Sequence, residues 1–202
     1  MNSSLQFLDR LLEVIEKNIA PITSEFVKEG NMLFGGAILT KNDYALVCAD
    51  TNKITEWPLL HGEISCLRTY NALPAAERPA PTDCIMIATH EPCALCLSAI
   101  TWTGFDNIYF LFSYADYKPI FDSTKILKQV FGNPNGEYRR ENAYWSSYCI
   151  AKLVDDLEES DGRKKALQGR VAALRERYNG INKVYEEVTK AKGIHIPRVT
   201  GE

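Results

Sequence analysis

Two short motifs constrain the fold most, because they lie far apart in the chain and carry side chains that suit a single metal ion. The first is His61-Gly62-Glu63 and the second is Pro92-Cys93-Ala94-Leu95-Cys96. Apolar residues at helical spacing follow each motif, so we expect each one to begin a helix. If the motifs meet, the fold brings two helix N-termini to one place.

Three side chains of these motifs are ligands that zinc prefers in proteins, namely His61, Cys93 and Cys96. Three protein ligands leave the fourth tetrahedral position open for water, which is the arrangement of catalytic zinc sites. The positive end of a helix also lowers the pKa of a cysteine thiol. The sequence therefore predicts one Zn²⁺ ion per chain, bound by these three residues.

Glu63 is predicted to act beside the metal rather than to bind it. It follows the proposed ligand His61 by two positions, so it is not expected to bind the same ion with the same geometry. Zinc lowers the pKa of a bound water to about 7. A carboxylate beside that water takes up its proton and delivers it elsewhere. We therefore expect Glu63 to be the catalytic acid and base.

Two other interpretations of the cysteine pair stay open. Cys93 and Cys96 match a redox Cys-x-x-Cys, but that motif belongs near the first strand of a thioredoxin-like unit, and this pair follows a middle strand. A structural zinc site needs a fourth Cys or His ligand, and His90 is the nearest one. The catalytic interpretation is preferred because it gives both motifs a role.

The order of predicted elements indicates an α/β fold. Helical spacing of apolar residues predicts a first helix that ends at Pro21. Two apolar runs within residues 32–49 predict a hairpin, and continuous apolar runs at 84–88 and 108–112 predict buried strands. Since helices alternate with the later strands, we expect a layered sheet whose strands are parallel after the hairpin.

Charge and composition divide the chain into two parts. Residues 1–150 carry 12 basic and 17 acidic side chains, whereas residues 151–202 carry 11 and 9 and are helix-prone. We therefore expect a catalytic domain at 1–150 and a helical C-terminal extension at 151–202, packed on that domain or on a partner subunit. The net charge of −3 argues against nucleic-acid binding through a broad basic face.

The sequence predicts neither a membrane span nor an export signal. No apolar stretch approaches the length of a span, and the first twenty residues carry charges throughout. Without such a signal, the six cysteines are expected to be free or metal-bound thiols. We expect a cytoplasmic protein without a membrane partner.

Both motifs resemble those of the cytidine deaminase-like superfamily of zinc aminohydrolases, over about residues 35–116. Residues 61–65 are similar to fungal cytosine deaminases, and residues 91–102 are similar to bacterial guanine deaminases. The resemblance implies a three-layer α/β/α sandwich around a mixed sheet of about five strands. It implies hydrolytic deamination of a nucleobase, nucleoside or related small heterocycle, with a guanine or cytosine type favoured.

Three further residues are candidate substrate contacts. The resemblance matches Asn52 to an Asn that precedes the ligand histidine and contacts the base through its amide. It places Asp116 where guanine deaminases have an Asp that binds the base or shuttles protons. Trp57 lies in the same loop as Asn52, and its ring suits stacking on a flat base.

Two alternative functions are retained. The first is deamination of adenosine in tRNA or another nucleic acid, which needs a basic rim around the pocket. The second is a deaminase fold that keeps its zinc and serves as a non-catalytic partner subunit, although Glu63 argues against a site without turnover. We expect a small heterocyclic substrate, no nucleic-acid partner and, as is usual in the superfamily, a homodimer.

Overall fold

A five-stranded mixed sheet forms the centre of the computed structural model, which describes residues 2–117, 122–158 and 162–194. The strands are β1 (Gly35–Thr40), β2 (Leu46–Thr51), β3 (Cys84–His90), β4 (Asn107–Phe112) and β5 (Ser146–Cys149). Their order in the sheet is β2-β1-β3-β4-β5. β1 runs antiparallel to β2 and β3, whereas β3, β4 and β5 are parallel. The predicted hairpin and mixed sheet are confirmed.

Helices cover both faces of the sheet. They are α1 (Asn2–Val14), α2 (Ala20–Phe26), α3 (Gly62–Asn71), α4 (Ala94–Thr103), α5 (Tyr114–Tyr117), α6 (Thr124–Gln129), α7 (Ile150–Asp155) and α8 (Gly162–Lys192). α3 and α4 pack on one face, and α1, α2, α7 and α8 form the layer on the other. This is the three-layer α/β/α sandwich that was expected. Within the described ranges, no helix has the length and apolar character needed to cross a membrane.

The central strand β3 is buried along its whole length. Met86 packs into the apolar cluster under α3 and α4, whereas Ile85 and Ile87 pack into the cluster on the opposite face. Because helices cover both faces, the strand is continuously apolar instead of alternating. Its carboxyl end, at His90, leads directly into the second motif.

The C-terminal extension packs on the core through α8. Its buried side chains recur at helical spacing and are Leu167, Leu174, Tyr178, Ile181 and Tyr185. They share one apolar cluster with α1, and Arg170 Nη2 pairs with Glu16 Oε2 of the helical segment after α1 at 2.7 Å. The division into 1–150 and 151–202 stays a prediction. Residues 1, 118–121, 159–161 and 195–202 lie outside those described.

Pro21 does not end the first helix, contrary to the sequence-based expectation. α1 continues through a π-helical turn at Ile15–Ile19 into α2, and Pro21 lies in the first turn of α2. A proline is tolerated there, because the backbone N–H that it lacks would have no acceptor within the first turn of an α-helix. The helix therefore restarts at this proline.

Candidate metal centre

The N-termini of α3 and α4 meet and bring together the three predicted metal ligands. His61 and Cys93 immediately precede the two helices, and Cys96 lies in the first turn of α4. His61 Nδ1 is 3.4 Å from Cys93 Sγ and 3.6 Å from Cys96 Sγ. The two Sγ atoms are 3.7 Å apart. These three atoms therefore form a nearly equilateral triangle.

This triangle has the size that one tetrahedral zinc ion requires. Zinc–sulfur bonds of about 2.3 Å and zinc–nitrogen bonds of about 2.0–2.1 Å place two sulfur atoms about 3.8 Å apart and a sulfur and a nitrogen about 3.6 Å apart. Among the described residues, the group of possible ligands contains these three and no fourth. The residues present therefore fit a zinc ion with one open position.

His90 does not complete a structural zinc site. Its Nδ1 lies 2.9 Å from Thr89 Oγ1, and it is outside the group formed by the three ligands. The alternative in which His90 is a fourth ligand is therefore wrong. His90 is still part of β3, whereas Cys93 follows after the strand has ended and lies with His61 and Cys96.

Both helices favour negative charge at this position. Each has ten residues and directs the positive end of its dipole toward the ligand cluster. The hydrogen bond between Cys93 and Cys96 lowers the pKa of the Cys93 thiol well below its usual value, although burial opposes this. The centre is therefore suited to hold thiolate ligands, the form in which cysteine binds metals.

Gly62 explains why the first motif has a glycine between its two functional side chains. A Cβ atom at this position would lie 2.5 Å from the Phe34 carbonyl oxygen and 2.6 Å from the Gly35 Cα and N atoms. These neighbours are backbone at the start of β1, so they have little freedom to move. The close approach fixes the N-terminus of α3, and hence His61 and Glu63, against the sheet.

We expect Gly62→Ala to weaken zinc binding and to destabilise the fold by about 1–3 kcal/mol, the usual cost of overpacking. The methyl group would push α3 away from β1 and displace His61. Zinc titration and denaturant unfolding measure the two effects.

Gly169→Ala is the matched control, because Gly169 is exposed in α8 with nothing near its Cβ position. Alanine favours a helix interior over glycine by about 1 kcal/mol, so this variant should be more stable and bind zinc normally. Equal effects of the two substitutions would contradict the packing argument for Gly62.

Glu63 is a buried carboxylate in the cavity next to the ligands. Its residue exposure is 5%, and it lines the cavity together with His61 and Cys93. Burial, with the negative charge of Cys93 as a second cause, raises the pKa of Glu63 to about 7. A carboxyl group with a pKa near neutrality is suited both to accept and to donate a proton.

A network of hydrogen bonds and one ion pair around the buried Glu91 fixes the segment that precedes Cys93, and sequence reasoning missed it. Glu91 Oε1 pairs with Arg140 Nη2 at 2.6 Å, and its Oε2 accepts a hydrogen bond from the Tyr114 backbone N–H at 2.9 Å. The Tyr117 hydroxyl donates to the Glu91 carbonyl oxygen, and the Tyr114 hydroxyl donates to that of Pro92, both at 2.6 Å. No signal in the sequence marks these partners, because Arg140 lies in a polar segment that resembles a solvated loop.

Asn52 is fully buried beside the cavity wall. Its Oδ1 accepts hydrogen bonds from the backbone N–H groups of Met32 and Ile54, at 3.0 and 3.3 Å. Its own backbone N–H donates to the Phe34 carbonyl oxygen at 2.8 Å. Among the described residues, its Nδ2 has no hydrogen-bond partner. Asn52 therefore holds the Met32–Phe34 segment and keeps one donor unused, and its contact with a base stays a prediction.

The other two predicted substrate contacts lie outside the described lining of the cavity that contains Glu63. Asp116 pairs with Arg175 of α8 at 2.7 Å and accepts hydrogen bonds from Ser113. Trp57 is 51% exposed in the loop before α3. Neither is among the described residues that line the cavity of Glu63. Their roles as substrate contacts stay predictions.

Residues 12–112 match the family model of the cytidine and deoxycytidylate deaminase zinc-binding region. Among curated proteins, the guanine deaminase of Bacillus subtilis (strain 168) is 29% identical over 98 residues. The match covers 47% of this chain and 61% of that protein, so it spans less than two thirds of the relative's length.

Solved structures share the fold at low sequence identity. A guanine deaminase from Nitrosomonas europaea aligns with a TM-score of 0.50 and 19% identity, covering 86% of this chain and 82% of that one. A mutant protein solved in complex with 8-azaguanine aligns with a TM-score of 0.54 and 18% identity, covering 84% and 86%. At such low sequence identities, the similarity shows a shared fold and nothing further.

Proposed function

We propose that this chain is a zinc-dependent enzyme that deaminates a small neutral heterocycle by hydrolysis. The chain belongs to the family of the cytidine and deoxycytidylate deaminase zinc-binding region. The observation that carries this proposal is the triangle of His61, Cys93 and Cys96, of tetrahedral zinc dimensions, with Glu63 in the same cavity. Guanine is the favoured substrate.

The proposed reaction assigns separate roles to the ligands and the carboxylate. His61, Cys93 and Cys96 would hold the zinc ion, which would lower the pKa of a bound water to about 7. Glu63 accepts a proton from the water that attacks the ring carbon bearing the amine, and donates it to the adjacent ring nitrogen. Glu63 then carries a second proton from the new hydroxyl group to the amine, which leaves as ammonia.

The cavity supports a neutral ring as the substrate. Its described lining is Met32, Phe34, His61, Glu63, His90, Glu91, Cys93, Tyr117 and Ser123, and contains no Lys or Arg. The two helix N-termini at the cavity face the proposed metal ligands. Since phosphate groups are often bound by Arg or Lys side chains, a lining without them favours a base or nucleoside over a nucleotide. The guanine deaminase relative and the structural relative with 8-azaguanine support guanine within this class.

Arginines beside the site give little support to the nucleic-acid alternative. Arg140 is paired with Glu91, and Arg175 is paired with Asp116. A basic rim that binds phosphates needs cations that are not already neutralised in this way. A small-molecule substrate therefore accounts better for the charges around the cavity.

A homodimer is proposed through the exposed face of α4. Leu95 and Trp102 lie two turns apart on this helix and are 36% and 91% exposed. Contiguous exposed apolar residues mark interaction surfaces in many proteins. Sedimentation should therefore show a dimer that Trp102→Glu converts to a monomer. The cytoplasmic location stays a prediction from the sequence.

Ammonia release from a panel of substrates tests the proposed function. The panel contains guanine, cytosine and adenine with their nucleosides and 5′-nucleotides, each incubated with protein that holds one zinc per chain. We expect turnover of guanine or another free base and much slower turnover of its nucleotide. No ammonia from any member of the panel would contradict the proposal.

A further inference from the structure

His90 is a buried titratable residue of the reaction cavity that the proposed mechanism does not use. It is the last residue of β3 and is 5% exposed. It lines the same cavity as His61 and Glu63, without belonging to the group of metal ligands. A histidine at this place needs an explanation other than metal binding.

The orientation of the His90 ring is fixed from several sides. Its Nδ1 is 2.9 Å from Thr89 Oγ1. Four aromatic rings surround it at centroid distances of 4.9–5.4 Å, and they belong to Phe34, Phe112, Tyr117 and Tyr178. Tyr178 comes from α8, so the C-terminal extension takes part in holding this ring. A ring held in this way presents its remaining nitrogen in one direction.

The second ring nitrogen, Nε2, is left without a hydrogen bond in the described parts of the chain. Burial lowers the pKa of His90 to about 3, so the imidazole is neutral at physiological pH. One nitrogen of a neutral imidazole donates a hydrogen bond and the other accepts one. Nε2 is not among the fully buried side-chain atoms that lack a partner, and His90 lines the cavity, so a ligand bound there can supply the partner.

We propose that His90 is a substrate contact that determines specificity, and that its Nε2 forms a hydrogen bond with a polar atom on the edge of the bound heterocycle. This inference rests on the proposed function and adds to it one recognition group. The competing explanation is that His90 only fills space in the aromatic cluster. The two explanations differ in whether the effect of a substitution depends on a particular atom of the ligand.

Binding is measured by calorimetry in a Glu63→Gln background, so that the zinc-loaded protein holds ligands without turnover. The probes are 8-azaguanine and guanine analogues in which one ring nitrogen is replaced by C–H or the exocyclic oxygen is removed. His90→Phe keeps an aromatic ring in the cluster and removes both nitrogens. We expect it to weaken 8-azaguanine binding about 10- to 100-fold, the range for a buried hydrogen-bonding group left unpaired.

One analogue should bind equally well with His90 and with Phe at this position, because it lacks the atom that His90 recognises. A uniform loss across all analogues, or no loss, would overturn the inference. Tyr178→Phe is the matched control, since it changes the same aromatic cluster but is not part of the described cavity lining around Glu63. It should leave binding nearly unchanged, and an equal loss in this variant would indicate packing alone.

Zinc content and thermal unfolding are measured for each variant. If His90→Phe does not fold, His90→Gln replaces it and should retain part of the affinity, because its amide offers a hydrogen-bonding group to the same ligand atom. An equal affinity of His90→Gln for all analogues would overturn the inference. If no heterocycle binds even with His90 in place, the proposed function itself fails, and this outcome is distinct from a failure of the His90 contact.

Discussion

Replacing Glu63 by glutamine is expected to lower kcat by about 10²–10⁴-fold, the usual contribution of a positioned acid–base group. Glutamine has nearly the same shape and occupies the same buried position, but it neither accepts nor donates the protons that the reaction moves. The zinc content should stay at one per chain, since Glu63 is outside the ligand group. Steady-state ammonia release with zinc analysis on the same samples measures both quantities.

Glu77→Gln provides the control for loss of a carboxylate. Glu77 is exposed in the connection after α3 and is not among the described residues that line the cavity of Glu63, so this variant should turn over substrate like the unmodified protein. Full activity of the Glu63→Gln variant would exclude Glu63 as the proton carrier. A loss of zinc in that variant would instead mean that Glu63 supports the metal site.

Replacing Cys93 by alanine is expected to abolish zinc binding and the stability that zinc contributes. A ligand that binds the native state stabilises it by about 2.7 kcal/mol when its free concentration is 100 times its Kd. At this zinc concentration the free energy of unfolding of the unmodified protein should therefore rise by about that amount. The Cys93→Ala variant should unfold at the same denaturant concentration with or without zinc.

Cys84→Ala is the control for loss of a buried thiol. Cys84 is fully buried at the start of β3 and lies outside the ligand group. This variant should be less stable because removal of the sulfur atom leaves a small cavity. It should still bind one zinc per chain and still gain free energy of unfolding when zinc is added. A Cys93→Ala protein that still shows this gain would place the metal elsewhere.

The parts that the sequence predicted well depend on local patterns. Apolar residues without alternation predict β3 because both of its faces are covered by helices. The helical spacing of apolar residues after the second motif predicts α4, which ends at Gly104 with a φ of 93°, a conformation that favours glycine. The meeting of His61, Cys93 and Cys96 was predictable because the residue types and their spacing suit one ion, and their role as metal ligands stays a prediction. The family match confirms the resemblance that the motifs carry.

The parts that the sequence did not predict depend on contacts between distant segments. Arg140 reaches Glu91 across 49 positions of the chain, and Tyr178 of α8 packs against His90. Arg140 is exposed at the surface, and nothing near either residue in the sequence indicates its partner. Asp116 illustrates the same limit, because its spacing after β4 does not reveal that Arg175 is its ion-pair partner.

The central claim is that two cysteines and one histidine hold a zinc ion and leave a position for water. X-ray absorption at the zinc edge of the full-length, zinc-loaded protein tests it most directly. We predict a first shell of two sulfur atoms at about 2.3 Å and two lighter atoms at about 2.0–2.1 Å, one of them from a single imidazole. Any other number of sulfur atoms, or a second imidazole in place of the water, would contradict the account.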